Sequence, residues 1–295
     1  MAYKDSDIYL TLFNGRHGSG HGHGSLGSIT LSYQGKEIIK DPGRYTYLEV
    51  YLRRYLKEEF SHSSLMVDRT PLTQIESSWT YKAMPEPIFH KYLDNKEQVA
   101  FEISWYGSTG NNLVIFKRTI IYLKKLMVII VVNTTDCLGE HHLSTRYQMG
   151  DMLKLDKQEN NVLLKTTPFA VYVGNQAEIS ITINNKVGSP KYNEKCQHEE
   201  LLLEQSFNNR LVSYECFYPF DQIEIEKINC YQNNKLYPCS ESLFLGVKMT
   251  QKGKGKVYEY YHSSYDTFRG DKLYIGEQER ILHGKDIIYQ KKLGE

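Results

Sequence analysis

Apolar and polar residues alternate with a period of two through most of the chain, and no window of a dozen or more residues keeps a helical stripe. That pattern suits one half-buried strand after another and excludes a helical bundle. Ser28-Ile29-Thr30-Leu31-Ser32-Tyr33 alternates cleanly, Gln34-Gly35 supplies a turn, and residues 36–40 return as the second arm of a hairpin. Further strands are expected at residues 99–105, 113–123, 126–133, 161–166, 170–173, 178–184 and 243–250. Turn signals at Gly110-Asn111-Asn112, Asn184-Asn185, Gly188-Ser189-Pro190, Asn233-Asn234 and Lys252-Gly253-Lys254-Gly255 separate them. Many short strands at such spacing favour an all-β, antiparallel two-layer sandwich over parallel βαβ units. The one expected helical piece is residues 48–59, where Glu and Leu are frequent and glycine is absent, with an ordered loop as the alternative. The strand pattern weakens from about residue 176, where a smaller C-terminal β region is expected to begin.

Composition narrows the partners. A chain of 295 residues can bury a substantial core. Thirty-six Lys and Arg against 35 Asp and Glu give a formal charge of +1, which lacks the excess that neutralising many phosphates requires, so nucleic acid is not expected as a partner. A local basic patch could still meet an acidic polymer, because net charge averages over the surface. The 24 tyrosines suit sheet packing first and saccharide surfaces second. Five cysteines without a C-x-x-C pair indicate neither a disulfide framework nor a cysteine zinc site. The N-terminus has no apolar segment of a signal peptide, and the longest apolar stretch, residues 126–132, is too short to span a bilayer. The expectation is a soluble chain with no membrane partner and no export signal of its own, its compartment open.

The stretch Gly15-Arg16-His17-Gly18-Ser19-Gly20-His21-Gly22-His23-Gly24 admits three readings. As a leftover linker or tag it is poor, because its three histidines are interrupted by glycines. Gly22-His23-Gly24-Ser25-Leu26-Gly27 formally fits G-x-G-x-x-G, but here a strand follows instead of a helix, so dinucleotide binding is rejected. The third reading is metal ligation: in an extended segment His21 and His23 point to one side. A pair alone is weak, but Asp41 ends the returning hairpin arm and His62 follows in Phe60-Ser61-His62-Ser63-Ser64.

The ordered set His21-Gly22-His23, Ser28 to Tyr33, Asp41-Pro42-Gly43-Arg44-Tyr45-Thr46-Tyr47, Arg53-Arg54-Tyr55, Ser61-His62-Ser63 and Val67-Asp68 resembles the signature block of heparinase II/III-like polysaccharide lyases. A weaker likeness runs on through Lys117-Arg118-Thr119 and His141-His142. The resemblance implies a C-terminal β-sandwich that, with an N-terminal helical toroid, encloses a cleft for an acidic polysaccharide. It implies a metal-holding core over residues 1–175, with residues 176–295 continuing the sandwich or forming a smaller C-terminal β region. It also implies a divalent metal, usually zinc and structural, held by residues matching His23, Asp41 and His62, a chemically suitable donor set. Cleavage in such lyases is a β-elimination: a base removes the proton beside the uronate carboxylate, developing charge is stabilised, and an acid protonates the leaving oxygen. His21 matches the cleft histidine, a charge stabiliser or proton carrier. The principal Tyr acid/base belongs to the toroid, as a domain or a separate subunit, so this chain alone is expected to be nearly inactive.

Between the proposed ligands, Tyr51 or Tyr55 is expected to touch substrate as a stacking or acid group, and Arg53 and Arg54 to fork onto a uronate or sulfate; an exposed amphipathic turn is the plain alternative. One departure from the family pattern stands at Ser25, where an acidic residue is common. The competing function is a non-catalytic carbohydrate-binding or assembly module. A ligand-free structural sandwich comes third.

Overall fold

The computed structural model describes residues 1–15, 21–159, 161–174, 179–232, 237–240, 242–264, 274–275, 281–282 and 286–291. His17, the Asn233-Asn234 turn and the boundary expected near residue 175 lie outside them. In chain order, β1 (Ala2–Lys4), β2 (Ile8–Leu12), β3 (Ile29–Tyr33) and β4 (Lys36–Ile39) form a four-stranded antiparallel meander. Then come α1 (Tyr51–Lys57), a 3-10 turn (Glu59–Ser61), β5 (Leu65–Val67) and a ribbon of β6 (Gln74–Ile75) with β7 (Tyr81–Ala83). The centre of the molecule is built by β8 (Glu86–Asp94), β9 (Gln98–Thr109), β10 (Asn112–Leu123), β11 (Val128–Gln148), β12 (Lys154–Gln158), β13 (Asn161–Lys165), β14 (Phe169–Gly174), β15 (Ser180–Gly188) and β16 (Cys196–Pro219). They make one antiparallel ten-stranded sheet, ordered β12-β13-β14-β16-β11-β10-β9-β8, with β15 added to β16 and β5 to β11. Beyond it lie β17 (Ile223–Ile228), β18 (Tyr231–Gln232), β19 (Tyr237–Pro238), β20 (Phe244–Gln251), β21 (Lys256–Ser263), β22 (Tyr274–Ile275), β23 (Ile281–Leu282) and β24 (Asp286–Lys291). These form a β17-β20-β21-β24 sheet and a short β19-β18-β22-β23 sheet.

The expected all-β antiparallel sandwich therefore forms, and a smaller C-terminal sheet covers its other side. Side chains alternate between the two faces of the large sheet. Ile120, Tyr122, Ile129 and Val131 join Leu10, Leu12, Ile29 and Leu31 of the N-terminal meander in one core. Ile121, Leu123, Ile130 and Val132 join Ile225, Val247, Met249 and Tyr260 in a second. Burial on both faces explains why residues 126–132 read as an unbroken apolar run rather than an alternation. Each fully buried large apolar side chain contributes about 1.5–3 kcal/mol, so the two cores clamp the central strands from both sides.

The expected hairpin forms as β3 and β4, and the strands expected at 99–105, 113–123, 161–166, 170–173 and 243–250 all have counterparts. The helix forms over seven residues, closed by the 3-10 turn. Strands β2, β8, β12, β17 and β21 lie outside the expected set, as does β16, and β16's partner β11 runs on 15 residues past Asn133. Both pass through polar stretches whose charges are matched inside the sheet. Glu200, fully buried, accepts from Gln148 at 2.9 Å and Asn184 at 3.0 Å and lies 3.3 Å from Arg146.

Candidate metal centre and substrate face

Three loops at one end of the meander present His23, Asp41 and His62. His23 precedes β3, Asp41 follows β4, and His62 follows the 3-10 turn after α1. Backbone contacts dock these loops together. Gly24 N–H donates to the Lys57 carbonyl at 2.8 Å, and Ser64 Oγ–H donates to Leu26 O at 2.8 Å. Asp41 opens a turn in which Gly43 N–H donates to its Oδ1 at 2.9 Å, and Ser189 N–H donates to Pro42 O at 2.7 Å. Gly43 sits at φ +82°, and a side chain there would overlap the Ser189 carbonyl.

The three side chains converge. One ligand atom from each of His23, Asp41 and His62 lies within 4.8 Å of the other two. The imidazole rings are 5.2 Å apart, and His62 Nδ1 lies 3.2 Å from Asp41 Oδ2. Burial and the neighbouring His62 push the His23 imidazole down to about 3, with Asp41 opposing, so its ring is neutral near pH 7. Withdrawal from water pushes the Asp41 carboxyl up, but His62, His23 and the Gly43 N–H pull harder and hold it at about 2. Neutral imidazole beside ionised carboxylate is the protonation state that cation ligation needs. His62 is fully buried, yet neither ring nitrogen makes a well-directed hydrogen bond among the described residues. A buried polar group in that condition calls for a partner. Two nitrogens and a carboxylate oxygen fit zinc, with a fourth position left over.

Beside this trio lies a face of aromatic and basic groups. His21 is exposed, its Nδ1 2.6 Å from an Arg44 guanidinium nitrogen and its ring 5.8 Å from Tyr47. The segment holding His21 and His23 forms no strand, unlike the extended segment the sequence suggested, but it still sets both imidazoles at the same end of the molecule. Arg44 lies over Tyr47 at 3.8 Å and near Trp79 at 5.7 Å, and Tyr47 stacks on Trp79 at 6.4 Å and meets Tyr192 at 5.8 Å. Tyr47, Trp79 and Tyr192 are all exposed. Helical spacing puts Tyr51 and Tyr55 on one side of α1, where they stack at 6.3 Å with Tyr51 open to solvent. Arg53 faces inward: it is buried, donates to Ser78 O at 3.0 Å and lies 4.7 Å beneath Trp79. Arg54 faces outward, bonded to Glu76 O and 3.3 Å from Glu49. Lys57 donates to Ser78 O at 2.9 Å; burial and the nearby Arg53 and Arg44 lower its ammonium to about 8.

Sequence reading assigned no role to the residue that fastens the centre to the sheet. Arg118, fully buried on β10, donates to Gly27 O at 2.6 Å and Ser63 O at 2.8 Å, and so bolts down the loops carrying His23 and His62. Its Nε donates to Asn133 Oδ1 at 2.8 Å; Asn133 Nδ2 and Tyr147 O–H in turn donate to Glu215 at 3.0 and 2.6 Å. Burial raises the Glu215 carboxyl to about 7 against the pull of Tyr147, Arg118 and Asn133. Gly27 holds φ +77° with the Trp105 ring where a side chain would go. Trp79 and Tyr192 were also passed over; an exposed tryptophan beside arginines was the available signal for Trp79.

Comparison with known proteins follows the geometry. Heparan sulfate lyase HepC from Pedobacter heparinus is similar at 17% identity and TM-score 0.65, over 84% of this chain and 38% of that one. A heparinase III structure is similar at 13% identity and TM-score 0.65, over 89% of this chain and 42% of the other. A second heparinase III matches at 14% identity and TM-score 0.61, over 88% and 40%. These likenesses concern the fold, and the chain spans about two fifths of the length of those lyases. No curated protein matches the chain. A model of the family described as heparinase II/III-like, C-terminal, matches residues 1–214, which takes in the His23, Asp41 and His62 loops and the large sheet almost to the end of β16; the chain belongs to the heparinase II/III-like family, in its C-terminal portion.

Proposed function

We propose that this chain is the metal-holding sandwich portion of a lyase that cleaves uronic-acid-containing polysaccharide by β-elimination, incomplete without a helical toroid supplied as a domain or subunit. The convergence of His23, Asp41 and His62 beside a basic and aromatic face carries the reading. The solved relatives are named for heparan sulfate and heparin, which supports an acidic polysaccharide as the substrate class. When bound, zinc would supply a fixed positive point that ties three loops into one shape.

The chain's own groups do the rest. Arg44 and Arg54, with Arg53 and Lys57 behind them, give this face a positive potential although the chain is nearly neutral. Tyr47, Trp79 and Tyr192 offer flat faces for sugar rings. His21, at the edge of the face, would stabilise charge or carry a proton, and Tyr51 or Tyr55, stacked on one side of α1, would touch the substrate as a stacking or acid group. Arg53 works from below by holding Trp79. Ser25, which cannot supply a carboxylate, supports a second reading as a binding module. Ultraviolet absorbance of unsaturated uronate separates the two. The lyase reading expects none from the chain alone and absorbance once a helical partner domain is added. Oligosaccharide binding without absorbance in either mixture selects the binding module.

A further inference from the structure

The residue before Asp41 belongs to a different cluster. Lys40 is buried, and its ammonium pairs with the Asp151 carboxylate and lies 3.4 Å from Cys196 Sγ. Asp151 sits in the turn after β11, Cys196 opens β16, and His198, two residues on, faces the same side of that strand. Cys196 Sγ is 3.2 Å from Asp151 Oδ1, and one ligand atom from each of Asp151, Cys196 and His198 lies within 4.8 Å of the other two. His198 is almost fully buried. Its Nε2 is held by Gln148 Oε1 at 2.9 Å, but its Nδ1 has no hydrogen-bond partner among the described residues. Gly188, opposite Cys196 in the β15–β16 ladder, leaves room there: a methyl group on it would stand 3.2 Å from both Cys196 Sγ and His198 Nδ1.

A purely structural Lys40–Asp151 ion pair accounts for two of these groups. It also engages the Cys196 thiol, but it leaves the buried His198 Nδ1 orphaned beside that sulfur, a condition that buried polar groups avoid unless something joins them. We propose that Asp151, Cys196 and His198 form a second cation site, for a thiophilic divalent ion of the zinc class, with the Lys40 ammonium as internal placeholder. Thiolate, imidazole and carboxylate are the donor types zinc takes, and a three-ligand set leaves one position open. Loading releases the Cys196 thiol proton to solvent and moves the Lys40 charge away from the ligands. The sequence hid this site because Cys196 and His198 lie more than 40 residues from Asp151 and no C-x-x-C pattern marks them.

Cobalt(II) titration of the full chain tests it, because a thiolate-to-cobalt charge-transfer band reports only a sulfur-containing site, and the His23 trio has no sulfur. The band is expected in the wild type and in His23→Ala, and absent from Cys196→Ser. Lys40→Met, which removes the competing charge, tightens cobalt binding roughly tenfold, the scale of one close like charge. No band from folded wild-type chain, or a band that survives Cys196→Ser, overturns the site. An unchanged affinity in Lys40→Met overturns the placeholder role.

Discussion

Arg118 carries more of the architecture than its place on an ordinary strand suggests. Its bonds reach Gly27 and Ser63, each within a few residues of a proposed ligand, so removing it frees both loops and strands the Glu215 network. Arg118→Met is expected to cost about 3–5 kcal/mol in urea denaturation, the scale for breaking a buried charged network. Glu215 sets a pH dependence. Its carboxyl is raised from 4.5 to about 7, so the folded chain holds more protons than the unfolded one across that window. Stability therefore falls as pH rises from about 4.5 to about 7, and Glu215→Gln flattens the fall; a denaturation midpoint followed against pH checks it. At the substrate face, Trp79→Ala is expected to weaken oligosaccharide binding about tenfold by calorimetry, through loss of one stacking surface. Proposed ligands stand out in the sequence because His and Asp advertise their chemistry. Arg118 does not, because its partners are backbone carbonyls that carry no residue signature.

At the scale of elements, longer alternating strands were readable, whereas the short β2 and β17, which also alternate, and the strands matched by charge were not. β9 and β10 alternate against apolar cores, whereas the far half of β11 carries Glu and Gln, and the first half of β16 Glu, Gln and Asn, that only pairing across the sheet makes tolerable. The long β11 is interrupted by a bulge between Asp136 and Glu140, and His141 clamps it, with Nδ1 2.7 Å from Asp68 Oδ2 and Nε2 2.9 Å from Leu138 O. Both ring nitrogens face acceptors, so the clamp needs an imidazolium, and the Asp68 bond raises the His141 pKa. Asp68 is lowered, since the His142 N–H and His141 outweigh burial. The clamp is therefore intact between the two pKa values: it is lost as pH rises through that of His141 and as it falls through that of Asp68. Amide exchange at His142, whose N–H donates to Asp68 Oδ1, is expected to quicken beyond either end of that window, and to be fast throughout in His141→Ala.

Across the whole molecule, two cores flanking one sheet hold a rigid wall, and the loops at one end of the meander carry the proposed chemistry. The sandwich and its family were legible from strand pattern and motif order. The second core was foreshadowed only as a weak C-terminal pattern, although it takes the opposite-face residues of the large sheet. Among the described residues no helix is long and apolar enough to cross a membrane. The chain covers about two fifths of its solved relatives' length. Bound zinc, measured in a Cys196→Ser background so that only the first site counts, is the direct test of the convergence of His23, Asp41 and His62. About one ion per chain is predicted, falling to near zero when His62→Ala is added. A full equivalent retained in folded double-variant chain would contradict it.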